Sequence, residues 1–259
     1  MKYLLVIIVS VLLFNCKDVK QDVSEEKQTA QSIIDKSISN SGGDKIDNST
    51  LEFDFRDKHY LAFRHKATFR LQRRYKDTSA QYFDTIPTIK DIINNKGFQR
   101  FVNDLPLAVP DSMAVRYSAS VNSVHYFSVL PYGLNDLAVN KTLLEDVSVK
   151  NEMYFTIKVT FNQNGGGEDF EDVFMYWIHR ETYKVDYIAY SYSEDDGKGI
   201  RFREGYNERY VEGVRFVDYN NYKPEDSAIS LTDLPQLFEK GDLKLLSKIE
   251  LENVTLKIN

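Results

Sequence analysis

The sequence predicts an α+β fold: a long antiparallel meander with one helix at its start and another set between two groups of strands. Three observations predict it. Apolar and polar residues alternate over most of the chain beyond Thr50, the period of a half-buried strand. Helical spacing of apolar residues stands out in two stretches, one ending at Gly42-Gly43 and one ending before Pro131. The segments between strands are short and rich in Asn, Asp and Gly, as hairpin turns require.

Composition narrows the class. Of 259 residues, 42% are hydrophobic and 28% charged, with 12 glycines and 6 prolines. Those values exclude a disordered chain, a collagen and a multi-span membrane protein. The net charge of −6, from 33 basic and 39 acidic residues, argues against a nucleic-acid partner. Aromatics are the one unusual signal, with 17 Tyr and 16 Phe beside a single Trp.

The first element is an address. Met1-Lys2-Tyr3 is followed by an apolar run from Leu4 to Phe14, the pattern of a signal peptide over residues 1–15. A helix of about 12 residues spans about 18 Å, short of the ~30 Å hydrocarbon core, so a permanent transmembrane anchor is the weaker reading. The run ends Leu13-Phe14-Asn15-Cys16, which resembles a bacterial lipobox. Leu13 fits; Phe14 and Asn15 depart from it, where small residues are usual. The resemblance makes Cys16 the site of lipid attachment and membrane anchoring. Cys16 is also the only cysteine, so no intramolecular disulfide forms. Residues 16–28 read as the lipidated cysteine and a polar tether. Asp18, Asp22, Glu25 and Glu26 in it resemble a surface-export signal, and a solvated linker explains them equally. Residues 29–259 read as one domain, with no linker and no repeat to divide them.

Within it, Ala30, Ile34 and Ile38 with Ile33 mark a helix over Thr29 to Ser39, closed by Gly42-Gly43. Leu51, Phe53 and Phe55 alternate in a strand; Asp57-Lys58 turns into His59 to Arg64; Ala67 to Tyr75 sends Phe69 and Leu71 inward. Thr88 to Asn94 and Gly97 to Asn103 form a hairpin around Asn94-Asn95-Lys96-Gly97. Ser112 to Val129 is the second helix, capped by Asp111 and stopped by Pro131, with Met113, Tyr117, Val121, Val124 and Phe127 on one face. Met153 to Phe161 alternates again. Val173 to Ile178 is apolar on both parities, as for a strand covered on both faces. Strands follow over Tyr183 to Tyr192, Arg201 to Tyr206, Glu208 to Val211 and, after Glu212-Gly213, Val214 to Tyr219. Pro235 opens a short helix that Gly241 closes, and one last strand covers Lys248 to Lys257.

This pattern, with Leu130-Pro131-Tyr132-Gly133-Leu134, Gly165-Gly166-Gly167, Asp172-Val173-Phe174-Met175-Tyr176-Trp177 and Ile200-Arg201-Phe202-Arg203, resembles a family of uncharacterised Bacteroidota lipoproteins. Some members carry a deoxyribose-phosphate aldolase label. That enzyme is a parallel (β/α)8 barrel with a Schiff-base lysine, and this chain lacks both the alternation and the lysine motif, so the label is rejected. In architecture the chain resembles the LolA/LolB and LppX-type lipoprotein carriers. That resemblance implies a strongly curved antiparallel sheet, an unclosed half-barrel with helices on its concave face. It also implies a cavity for a lipid, an acyl chain or another apolar ligand, and an outer-membrane location on the periplasmic face or the cell surface.

Site candidates follow. No G-x-S-x-G, H-E-x-x-H, phosphate loop or C-x-x-C is present, so no catalytic residue, metal ligand or cofactor is assigned. His59, His65, His125 and His179 are far apart in sequence; His125 and His179 read as structural or exposed. Glu168, Asp169, Glu171 and Asp172, and likewise Glu194-Asp195-Asp196, fit a solvated turn better than a calcium loop. Asp84, Asp111 and Asp226 each begin a tripeptide resembling a Bacteroidota O-glycosylation site. Arg201 and Arg203 share a strand face, and Arg209 joins them if the register holds. The group either pairs a carboxylate or phosphate head group or makes ion pairs with Glu204, Glu208 or Glu212. Tyr176, Trp177, Tyr187, Tyr190 and Tyr192 either line a cavity or fill a core. Tyr132 sits at a cavity mouth or covers the helix end.

The expectation is a membrane-anchored, non-catalytic lipoprotein holding an apolar ligand. Its rivals are an accessory protein for a protein or glycan partner, and a hydrolase with His125 or His179 beside a carboxylate. Replacing Cys16 by alanine is expected to abolish incorporation of labelled palmitate; persisting incorporation contradicts the lipid address.

Overall fold

The computed structural model describes residues 28–79, 85–164, 170–194, 197–226 and 228–259. The predicted leader, Cys16, the predicted tether through Lys27, the triple glycine with Glu168 and Asp169, Asp84, and Asp195-Asp196 lie outside the described residues.

Helix α1 (Ala30–Asn40) begins where Thr29 makes a capping box: its hydroxyl accepts from the Ser32 amide, and the Ser32 hydroxyl accepts from the Thr29 amide. It buries Ile33, Ile34 and Ile38. Gly42 ends it at φ +72°, as the sequence predicts. A Cβ there would lie 2.1 Å from the Gly213 carbonyl oxygen, so the glycine also permits a distant hairpin tip to approach. The Arg215 amide donates to the Ser41 carbonyl at 2.9 Å across that contact.

Strands β1 (Asn48–Phe55), β2 (Lys58–His65), β3 (Thr68–Lys76), β4 (Thr88–Asn94), β5 (Gly97–Val102) and β6 (Leu105–Leu107) form a meander of consecutive antiparallel pairs. Helix α2 (Asp111–Ser128) follows. Then come β7 (Val139–Leu143), β8 (Val147–Val149), β9 (Glu152–Phe161), β10 (Val173–His179), β11 (Val185–Glu194), β12 (Gly197–Val211) and β13 (Val214–Lys223). Helix α3 (Leu234–Lys240) carries Pro235 in its first turn and ends at Gly241 at φ +78°. Strands β14 (Lys244–Ile249) and β15 (Glu252–Ile258) complete the chain.

The strands form an antiparallel layer in two parts. One sheet of seven has the order β15-β1-β2-β3-β4-β5-β6, and one of eight runs β14-β13-β12-β11-β10-β9-β7, with β8 also on β9. The layer is not closed into a barrel, and the α+β half-barrel class predicted above holds. Its two outer edges are β6 and β7, and the connection between them is α2.

One predicted strand is two. Lys248 to Lys257 was expected to be continuous; β14 and β15 belong to different sheets, parted at Glu250-Leu251. The cause is a side-chain clasp. Buried Asp218 accepts the Leu251 amide at 3.0 Å and Arg209 Nη1 at 3.0 Å, and Arg209 also donates to the Leu251 carbonyl. With both backbone groups taken by side chains, Leu251 has none for the ladder, and the chain crosses from one sheet to the other.

Three apolar cores form. The first joins α1 to Ile157, Phe174, Tyr176, Ile178 and Ile188 of the eight-stranded sheet. The second joins Leu51, Phe53, Tyr60 and Ala62 of the other sheet to Val121 of α2, to Val129 just beyond its end and to Val214 and Phe216. The third lies behind the eight-stranded sheet, where Met175, Trp177, Ala189 and Phe202 meet Leu231, Leu234 and Phe238. Thus α1 and α2 occupy the concave side, whereas α3 covers the opposite face. This division explains why β10 is apolar on both parities: Phe174 and Tyr176 face one core, Met175 and Trp177 the other.

Helix α2 is fastened to the seven-stranded sheet by a buried ion cluster. Asp91, fully buried, accepts from Arg73 Nη2 at 2.7 Å and from Arg100 Nε at 2.6 Å. Arg73 Nη1 donates to the Ser120 hydroxyl at 2.7 Å, and the Arg100 guanidinium stacks 3.5 Å from the Tyr117 ring. Removing one partner strands buried charge, so Asp91→Ala is expected to cost about 3–5 kcal/mol in urea unfolding. Asp57→Ala, which breaks an exposed pair with Lys58 at 2.8 Å, is expected to change stability by less than about 0.5 kcal/mol.

Candidate functional site: a cavity beneath the crossing helix

The half-barrel is not filled. A cavity of about 1060 Å³ lies between α2 and the facing sides of both sheets, just above the upper end of the range usual for small-molecule sites. The helix contributes small residues to it, including Ala114, Ser118 and Ala119. The predicted helix face holds only in part: Val121 is buried, but Met113 at the other end is 42% exposed.

The wall is chemically divided. The seven-stranded sheet supplies only Phe55, Phe69, Ile93 and Phe98. The eight-stranded sheet supplies Phe161, Phe174, Val217 and Ile249 together with Tyr190, Tyr192, Arg201 and Arg203. Arg203 is 8% exposed. Its Nη2 donates to the Tyr190 hydroxyl at 2.7 Å, and its guanidinium stands 4.0 Å from the Phe127 ring. Arg201 lies 5.0 Å over the Tyr192 ring and donates to the Ile200 carbonyl. Gly199 faces Tyr192 across the ladder, where a Cβ would sit 2.2 Å from that ring. Deeper, the Tyr126 and Tyr176 hydroxyls bond at 3.0 Å, and burial pushes both phenols well above their ordinary range, so they remain neutral.

Four sequence candidates therefore meet: Tyr190, Tyr192, Arg201 and Arg203. The others stand elsewhere. Trp177, 1% exposed, packs against Phe202 in the core behind the sheet, with ring centroids 5.7 Å apart. Tyr132 lines a separate cavity of about 250 Å³, where its hydroxyl donates to Asp47 and Arg64 lies 5.5 Å over its ring. Arg209 leaves the register of Arg201 and Arg203. A bulge between Tyr206 and Arg209, with Asn207 at φ +50°, adds one residue to β12 and turns Arg209 to the opposite face. There it makes the clasp with Asp218 and Leu251. Two of the carboxylates considered as partners for these arginines are otherwise engaged: Glu204 with Lys150 at 2.6 Å, Glu208 with Lys184 at 2.6 Å and Arg215 at 2.7 Å. Cys16 lies outside the described residues.

The histidines make no catalytic pair with the cavity. His59 bonds Asp54 at 2.8 Å and His179 approaches Glu152 at 3.3 Å, both half-buried and neither on the cavity wall. His125 is 1% exposed, set edge-on to Phe53 and Tyr60, and its Nε2 donates to the Gln72 carbonyl at 3.1 Å. Burial holds its pKa down at about 3. Among the described residues no group of three or more His, Cys, Asp or Glu could hold a metal ion, and no helix is long and apolar enough to cross a membrane.

An unclosed antiparallel half-barrel with a lined cavity under a crossing helix is the class this geometry defines. Residues 5–251 match the model of a family of unknown function (DUF6503), and the chain belongs to that family. No curated protein matches it. Among solved structures, a LolA superfamily protein from Nitrosomonas europaea aligns over 89% of this chain and 94% of its own, with 12% identity and a TM-score of 0.43. A domain named for outer membrane lipoprotein sorting from Vibrio parahaemolyticus covers 82% of this chain and 99% of its own, with 10% identity and a TM-score of 0.38. A DUF1329 family protein from Desulfovibrio piger covers 90% and 95%, with 7% identity and a TM-score of 0.39. These likenesses are distant, and the functional reading below stands on the cavity itself.

The depressed pKa of His125 has a consequence for stability. The unfolded chain takes up a proton near pH 6.5, whereas the folded chain resists it until about 3. The contribution is therefore complete above about pH 6.5 and is lost as pH falls toward 3. Over that window the native protein is expected to lose stability about 1.4 kcal/mol per pH unit faster than His125→Phe, measured by urea unfolding across pH.

Proposed function

We propose that this protein is a membrane-anchored envelope lipoprotein that holds a lipid, an acyl chain or another apolar ligand in the cavity of its half-barrel. The observation that carries the reading is the cavity of about 1060 Å³ with an aromatic and aliphatic lining. Leaving apolar wall unburied forfeits about 25 cal/mol for each Å² that a ligand could cover, so an oily occupant gains what the core does not. The aromatic excess of the sequence is spent there in part, with Phe55, Phe69, Phe98, Phe127, Phe161 and Phe174 on the wall. The domain reading is that residues 1–15 are removed, Cys16 carries the acyl anchor, residues 16–28 tether it, and residues 29–259 form the binding domain. An outer-membrane site, on the periplasmic face or the cell surface, follows from that address. A protein or glycan partner without an apolar ligand calls instead for a filled interior.

Native mass spectrometry of protein purified from its own envelope, followed by lipid extraction, is expected to reveal a co-purifying apolar ligand. Ala119→Trp places an indole in the cavity from its helical side. It is expected to weaken binding of a neutral apolar fluorophore by about tenfold or more, with little change in the unfolding midpoint. Unaltered binding in that variant contradicts the site.

A further inference from the structure

We infer that the cavity takes an amphiphile with an anionic oxygen head group, a carboxylate or a phosphate, bound by Arg203, with the apolar chain directed toward the seven-stranded sheet. This rests on the reading of the cavity as an acyl-binding site and specifies what its occupant carries at one end.

Arg203 is one of three arginines classed as buried, with Arg73 and Arg215. The other two are neutralised. Arg73 pairs with Asp91 at 2.7 Å, and Arg215 pairs with Glu208 at 2.7 Å and Asp186 at 3.1 Å. Arg203 has no ion pair among the described residues. It has the Tyr190 hydroxyl, the faces of Phe127 and Tyr190, and a buried Nε with no hydrogen-bond partner. Aromatic faces offset part of the cost of burying a cation, and a phenol hydroxyl accepts one bond. Neither supplies a counter-charge, and an uncompensated buried charge is among the most costly features a fold can hold. Asp111 and Asp172 also reach the cavity wall; Asp172 is itself engaged, and among the described residues no ion pair joins either carboxylate to Arg203.

Position supplies the second half of the inference. Arg203 lines the cavity, and Arg201 lies on the same strand face two residues earlier, so two guanidinium groups stand on one wall. The opposite wall, from the seven-stranded sheet, is wholly apolar. A neutral oil has no use for the first wall, and a soluble anion has none for the second. A molecule with an anionic head and a hydrocarbon tail uses both. The planar guanidinium fork suits a carboxylate or phosphate, which accepts two parallel hydrogen bonds.

The test is displacement of neutral N-phenyl-1-naphthylamine from the purified protein in detergent-free buffer. Four ligands of equal chain length are compared below their micellar concentrations: hexadecanoate, hexadecyl phosphate, hexadecanol and hexadecyltrimethylammonium. At least one anion is expected to bind about tenfold tighter than the alcohol, and the cation weaker than the alcohol. Which anion leads distinguishes a fatty acid from a phosphate-headed lipid. Arg203→Gln is expected to bring the anions level with hexadecanol, and Arg203→Lys to keep part of the preference. If Arg203→Gln does not fold, the series on the native chain decides alone. Equal binding of anions and alcohol by the native protein overturns the head-group assignment and leaves the acyl site standing. Failure of the fluorophore and all four ligands to bind overturns the acyl site itself.

Discussion

The shape of this protein depends on how the two free edges of its β-layer are joined. β6 ends one sheet and β7 ends the other, and the chain passes between them as α2 rather than as a hydrogen-bonded strand pair. A strand pair would close a barrel and bring opposing side chains into contact. A helix crossing the gap touches the two sheets only along its flanks. On one flank Ser120 and Tyr117 meet Arg73 and Arg100; on the other Tyr126 and Phe127 meet Tyr176 and Arg203. Between the flanks the small residues of α2 cannot reach across, and the cavity is what remains.

Such a layer lacks the continuous packing that holds a filled barrel, and three clusters of buried charge act where packing is thin. Asp91 with Arg73 and Arg100 holds the helix to one sheet. Asp218 with Arg209 holds the crossing between the sheets at Leu251. Arg215 with Asp186 and Glu208 holds β13 to β11 and β12, beside the contact between Gly42 and Gly213. Desolvation removes much of the gain from such clusters, so their value lies less in net stability than in direction. Apolar contact tolerates sliding, whereas a carboxylate shared between two guanidinium groups does not.

Much of this was legible from residue order alone. The Gly42 stop, the Glu212-Gly213 hairpin and the two-faced β10 all rest on local chemistry that a short window contains. The clusters were not legible, because each joins residues that only the fold brings together. Arg73 and Arg100 sit in alternating strands and look like solvent-facing charges until β4 places Asp91 between them. Parity offered one hint: Arg73 shares its face with Leu71, which points inward. The division of the carboxyl-terminal strand was hidden for the same reason, since the cause is Asp218, more than thirty residues away from Leu251.

The arginines of β12 show how a single backbone irregularity divides structure from binding. By alternation alone Arg201, Arg203 and Arg209 belong to one face, and a ligand head group could gather all three. One extra residue at the Asn207 bulge reverses the parity of everything beyond it. Arg209 then meets Asp218 and Leu251 and is consumed by the joint between the sheets, while Arg201 and Arg203 stay on the cavity side. Had the register continued, the joint would lose its guanidinium and Arg209 would share the face of Arg201 and Arg203. The bulge thus satisfies the fold with one arginine and leaves Arg203 with no ion pair among the described residues, beside the cavity of about 1060 Å³.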